Sequence, residues 1–148
     1  MKKFSIVLSA VMMSALMGYT QKINPNKVSS AVKEAFAKKF PAATDVKYEM
    51  EKKDYEINFK EKGVEMSANF DAAGKWLETE TEIKVNDLPQ EVSSSAADKY
   101  PGFKITEIAK TETPEKGMIY ELDLRKDKEA WEIQFLQNGK VVKRTPLK

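Results

Sequence analysis

Two stretches of this chain, residues 55–75 and 120–140, are versions of each other, and their spacing restricts the fold more than any other feature. Each runs Tyr-Glu-aliphatic, through a charged turn, into an alternating segment that ends Phe-x-x-x-Gly-Lys. The markers keep a constant offset of 65: Tyr55 and Tyr120, Phe70 and Phe135, Gly74 and Gly139, Lys75 and Lys140. A chain built this way must make one β unit twice, and the remaining residues must cover and connect the copies.

The cover is legible upstream of each copy. Val28, Val32, Phe36 and Phe40 recur at i+4 before Pro41, with Lys33, Glu34, Lys38 and Lys39 between them, which predicts an amphipathic helix. Asn24-Pro25 supplies a cap and a first helical residue, and Pro41 ends the helix. The same pattern returns 60 residues later as Leu88, Val92, Ala96 and Tyr100 before Pro101. The offset grows from 60 to 65 across residues 101–117, so the second copy carries five extra residues there.

Four strands follow each helix. In the first copy Val46, Tyr48 and Met50 alternate with charged residues, and Tyr55, Ile57 and Phe59 with Glu56, Asn58 and Lys60. Met66, Ala68 and Phe70 then alternate with Glu65, Ser67 and Asn69. The fourth strand, 75–83, places Trp76 in phase with Glu78, Glu80 and Glu82, opposite Leu77, Thr79, Thr81 and Ile83. Gly63 and Asn138-Gly139 supply turn residues that tolerate positive φ. The second copy expects strands over 103–111, 118–124, 131–135 and 141–146. Strict alternation in consecutive segments predicts an antiparallel sheet with one buried and one wet face. The expected class is α+β: two tandem α-β-β-β-β repeats, 21–85 and 86–148, forming one compact unit with about eight strands and both helices on one face. Neither half of about 60 residues would bury enough surface alone.

Residues 1–20 read as an export signal, with Lys2-Lys3 before an apolar run over 4–17 that holds three serines. That run is too short to span a bilayer comfortably, so no membrane span is expected after cleavage near Gly18 or Thr20. The expected location is periplasmic or secreted. Removing the signal takes away two lysines and no acid, so 23 Lys and Arg face 23 Asp and Glu. A neutral chain with mixed signs argues against nucleic acid as a partner. The chain has no cysteine and no histidine. Disulfides, thiol nucleophiles, Ser-His-Asp triads and histidine-based zinc chemistry are thereby excluded. No cofactor or metal is expected, because Asp71-Ala-Ala-Gly-Lys and the acids of 123–129 do not keep calcium-loop spacing.

Several motifs together resemble a known family. They are Phe40-Pro41 and Tyr100-Pro101 closing the helices, the run 70–80 with Gly74, Lys75 and Trp76, and Leu88-Pro89. The chain is similar in these to the PepSY-like, β-lactamase-inhibitor-like domains of secreted bacterial proteins. The resemblance implies a tandem-repeat fold whose sheet faces a protein partner, and a link to peptidase inhibition or regulation. The chain departs from the β-lactamase inhibitor proper in lacking disulfides and in carrying acids and amides, not aromatics, on its open face.

The function expected is therefore an exported, non-enzymatic module that binds a protein of the cell envelope, as an inhibitor or regulator of an enzyme such as a peptidase. The candidate partner-binding face comprises Glu56, Asn58, Glu65, Ser67, Asn69 and Trp76 from the first copy. From the second it takes Glu121, Asp123, Arg125, Glu132 and Gln134. The alternatives are a periplasmic protein binding a cation or small ligand, and a hydrolase using paired carboxylates. The partner's identity and the oligomeric state are not encoded in any motif.

Overall fold

The computed structural model of the chain describes residues 21–147. The expected signal segment lies outside the described residues. Strand β1 (Gln21–Lys22) leads through a 3-10 turn (Pro25–Lys27) into helix α1 (Ser30–Lys39). Strands β2 (Thr44–Glu51), β3 (Asp54–Glu61), β4 (Val64–Phe70) and β5 (Trp76–Glu82) follow. A second 3-10 turn (Val85–Asp87) then enters helix α2 (Gln90–Lys99). Strands β6 (Lys104–Thr113), β7 (Gly117–Lys126), β8 (Glu129–Leu136) and β9 (Val141–Pro146) complete the chain. The nine strands of the described residues form one antiparallel sheet in sequential order. The ninth strand is β1, which extends the edge by pairing Gln21 with Met50.

Both helices start later than the sequence pattern suggests. Asn24 caps the 3-10 turn, accepting a hydrogen bond from the Asn26 amide at 2.9 Å. The α1 cap is Ser29, whose Oγ accepts from the Val32 amide at 3.3 Å. An apolar stripe marks burial and not helical state, so Val28 is buried although it precedes the helix.

Two hydrophobic clusters lie on the helix side of the sheet. In the first, Val32 and Phe36 of α1 pack on Ile57, Phe59, Ala68 and Phe70. In the second, Val92 and Ala96 of α2 pack on Leu122, Leu124, Ile133 and Phe135. The hairpins β4–β5 and β8–β9 are tied to the helices by glycine. At Gly74, φ is +83°, and a Cβ would stand 2.6 Å from the Ala31 carbonyl oxygen. At Gly139, φ is +77°, and a Cβ would stand 2.4 Å from the Glu91 carbonyl oxygen. No other residue permits both the turn and that approach.

Candidate functional site

The face turned away from both helices is built by every second residue of the strands. Register places Glu56 opposite Asn69 and Asn58 opposite Ser67, with Glu65 opposite Lys60. In the second repeat Glu121 faces Gln134, Asp123 faces Glu132 and Arg125 faces Ala130. These ten candidates therefore share one face, but as two groups. Strands β5 and β6 run between them, so β4 and β7 are about 14 Å apart at ordinary strand spacing. Glu132 is only 5% exposed, tucked between Asp123 and Thr145, and presents little to a partner.

The Trp76 indole is turned away from this face to the helix side, although the residue also lines a hollow in it. A bulge at the start of β5 pairs Trp76 with Phe70 and Glu78 with Asn69, leaving Leu77 as the extra residue. The bulge breaks the phase that alternation assumes, so Trp76 and Glu78 point to opposite sides. The indole packs on the first hydrophobic cluster, with the Lys39 ammonium 3.6 Å from the ring centroid. Its Nε1 donates to Thr79 Oγ1 at 2.9 Å, and Thr79 is buried on the helix side.

In its place β5 contributes Glu78 and Glu80, central residues absent from the expected site. Glu80 lies between Ser67 of β4 and Thr111 of β6. Burial raises its pKa to about 8, reinforced by Glu121, Glu78, Glu56 and Glu107. Burial and Glu121 likewise raise Glu78, partly offset by the hydrogen bond from Asn69 Nδ2 to Glu78 Oε1 at 3.0 Å. Glu56 is raised by burial and by Glu49 and Glu51. Asp123 is raised by burial, against the pull of Arg125. Carboxylates crowded at a half-dry surface resist ionisation together. The signal for Glu78 and Glu80 was present in the Glu-Thr-Glu alternation of β5; only their central position was not.

Two hollows indent this face toward one end of the strands. The larger, about 310 Å³, is lined by Leu77 and Glu78, by Ile119, Glu121 and Gln134, and by the β6–β7 turn at Pro114–Lys116. The smaller, about 260 Å³, lies among Glu51, Asp54, Glu56, Asn69, Leu77 and Glu78. Leu77 and Glu78 line both. Among the described residues, no three acidic groups converge tightly enough to hold a metal ion. None of the described helices is long and apolar enough to cross a membrane.

The motifs and this repeated architecture match the protein-family profile described as "Putative beta-lactamase-inhibitor-like, PepSY-like", over residues 17–69 and again over 63–143. The chain belongs to that family. Among curated proteins none matches it. Among solved structures, a BLIP-like protein from Bacteroides fragilis is 25% identical with a TM-score of 0.74, covering 80% of this chain and 86% of its own. A "putative periplasmic" protein from Bacteroides eggerthii has a TM-score of 0.75 at 19% identity, covering 80% of this chain and 88% of its own. The second likeness is one of fold. The profile thus matches twice along a chain in which the α-β4 unit occurs twice.

Proposed function

We propose that this PepSY-like chain is an exported, non-enzymatic module of the cell envelope that binds a protein partner through the open face of its sheet. The observation that carries this reading is the uncovered face itself. Both helices pack on the opposite side, and the open side gathers carboxylates so crowded that Glu78 and Glu80 resist ionisation, a resistance that a partner's cation would relieve. Such a surface steers and selects a partner of opposite charge more than it supplies raw affinity. The periplasmic description of the Bacteroides eggerthii protein supports the envelope setting, and the BLIP-like description of the Bacteroides fragilis protein supports a regulator of an enzyme.

The test is affinity capture from envelope extract with the tagged full chain, beside a variant carrying Glu56→Lys, Glu121→Lys and Asp123→Lys. A partner held by the wild type and lost by the folded variant is expected. Identical capture by both would remove the face from consideration. Turnover of a glycoside or ester by the purified chain would replace the module with an enzyme.

A further inference from the structure

The five extra residues of the second repeat have a consequence for the open face. They lengthen the β6–β7 hairpin relative to β2–β3, whose strands have 8 residues against 10. The longer turn, Pro114–Lys116, is one wall of the larger hollow. The opposite end of the smaller hollow is walled by Glu51 and Lys52 at the β2–β3 turn. The two hollows meet at Leu77, the residue that the β5 bulge leaves over, and at Glu78. Side by side, with these two residues as their shared wall, the hollows make a trough in two parts that crosses the sheet from β3 to β8.

The floor of this trough mixes apolar and anionic groups. Leu77, Pro114 and Ile119 offer carbon, and Glu56, Glu78 and Glu121 offer carboxylates. Neutral donors hold two of those carboxylates in place. Asn69 Nδ2 donates to Glu78 at 3.0 Å, and Thr111 Oγ1 donates to Glu121 at 2.8 Å. The ion pairs seen among the described residues lie elsewhere, joining exposed Lys60 to Asp45 and Glu65. Lys52, Lys75 and Lys116 also line the two hollows, and Lys116 acts on Glu78, but Glu51, Asp54, Glu56, Glu78, Glu115 and Glu121 outnumber them, so the lining keeps an excess of acid.

We propose that the trough is the docking site for an extended, arginine- or lysine-bearing segment of the protein partner. The inference rests on the binding-module reading above and deepens it. Charge complementarity selects the occupant: long basic side chains lay their methylenes on Leu77 and Ile119 while their heads reach Glu78 and Glu121. Length selects its form. Five strand spacings separate β3 from β8, about 24 Å, which an extended segment of about seven or eight residues spans. A compact cation cannot use both hollows at once.

The probe is a capped peptide of about ten residues that alternates arginine with leucine, long enough for that span. It is titrated into the purified full chain by calorimetry, with the Leu77 and Ile119 methyl resonances followed by NMR. Saturable binding that shifts both methyls and weakens as salt screens the charges is expected. Glu78→Gln with Glu121→Gln should weaken it about tenfold or more, since both partners of the cationic heads are lost. Glu34→Gln, exposed on α1 and on the other side of the sheet, should leave it unchanged. These amides preserve shape and relieve repulsion, so folding is retained and circular dichroism checks it. Equal affinity for the double amide variant would overturn the proposal, as would equal binding of a glutamate-leucine peptide. Spermidine shifting the same methyls and competing fully would overturn it in favour of a small-cation site. If the charge-reversed face still loses the captured partner while the double amide variant keeps it, the module stands and the trough is not its site.

Discussion

The two repeats share a backbone and diverge in side chains, and they diverge differently on the two sides of the sheet. On the helix side the changes compensate. The first repeat places Phe36 on its helix and Ala43 after it, whereas the second has Ala96 and Phe103 at the equivalent positions. Phe59 of the first corresponds to Leu124 of the second, and Met66 to Trp131. Aromatic volume has moved within each cluster and not disappeared: Phe36 touches Phe40, Phe59 and Phe70, while Tyr100 touches Phe103 and Phe135. A close-packed interior tolerates exchange only when its total volume is kept. On the open side no such constraint operates. Glu78 and Glu80 of β5 correspond to Lys143 and Thr145 of β9. Because β5 is central and β9 is an edge, that change concentrates acid in the middle of the sheet.

The core half of this comparison can be broken most severely. Phe36→Ala is expected to cost about 3–5 kcal/mol in urea unfolding, because it removes the hub of the first cluster. Ala96→Phe should cost about 1–3 kcal/mol by overpacking the second cluster. Combining it with Phe103→Ala, which restores the arrangement of the first repeat, should recover about 1 kcal/mol or more of the summed loss. Strict additivity would mean that the two positions do not exchange volume.

The shared half is sharpened by the paired glycines. Gly74→Ala and Gly139→Ala should each cost about 2–4 kcal/mol, through positive φ and a collision with a helix carbonyl. Gly63→Ala, equally left-handed but with nothing near its Cβ, should cost about 1 kcal/mol. Thermal melts of the three variants measure the difference, and equal losses would deny the helix contact any role.

The electrostatic asymmetry is testable by pH. Folding raises the Glu80 pKa from an ordinary 4.5 to about 8, so within that window the folded chain holds a proton that the unfolded chain releases. Stability attributable to this group is therefore full below pH 4.5, falls as pH rises through the window and is flat above it. Glu80→Gln should stabilise the protein at pH 8.5 by about 1–2 kcal/mol after solvent screening, and have little effect at pH 4. A pH-independent effect of Glu80→Gln would mean the carboxyl is ionised throughout.

The smallest effects concern the cations over the two indoles. Lys39 lies 3.6 Å from the Trp76 ring centroid and Arg144 3.6 Å from that of Trp131. Lys39→Met and Arg144→Met should each cost about 0.5–1 kcal/mol, a loss that methionine's retained carbon confines to the charge. Trp fluorescence during unfolding would report both.

Much of the molecule was legible in the chain. The doubled markers, the i+4 stripes and the period-two alternation specify two helices, paired hairpins and the inward row, because each is dictated by backbone geometry acting within a few residues. That rule alone puts Glu56, Asn58, Glu121 and Asp123 on one side of their strands, and register sets them opposite Asn69, Ser67, Gln134 and Glu132. The tertiary structure decided the rest. Trp76 changed sides because one bulge shifts the phase, and a bulge is set by what the neighbouring strand requires. Glu78 and Glu80 became the centre of the face because β5 pairs with β6, a contact across 30 residues that no local pattern encodes. Their reluctance to ionise has the same origin: acids distant in sequence gather where water is scarce, and only the assembled sheet sets how close they come.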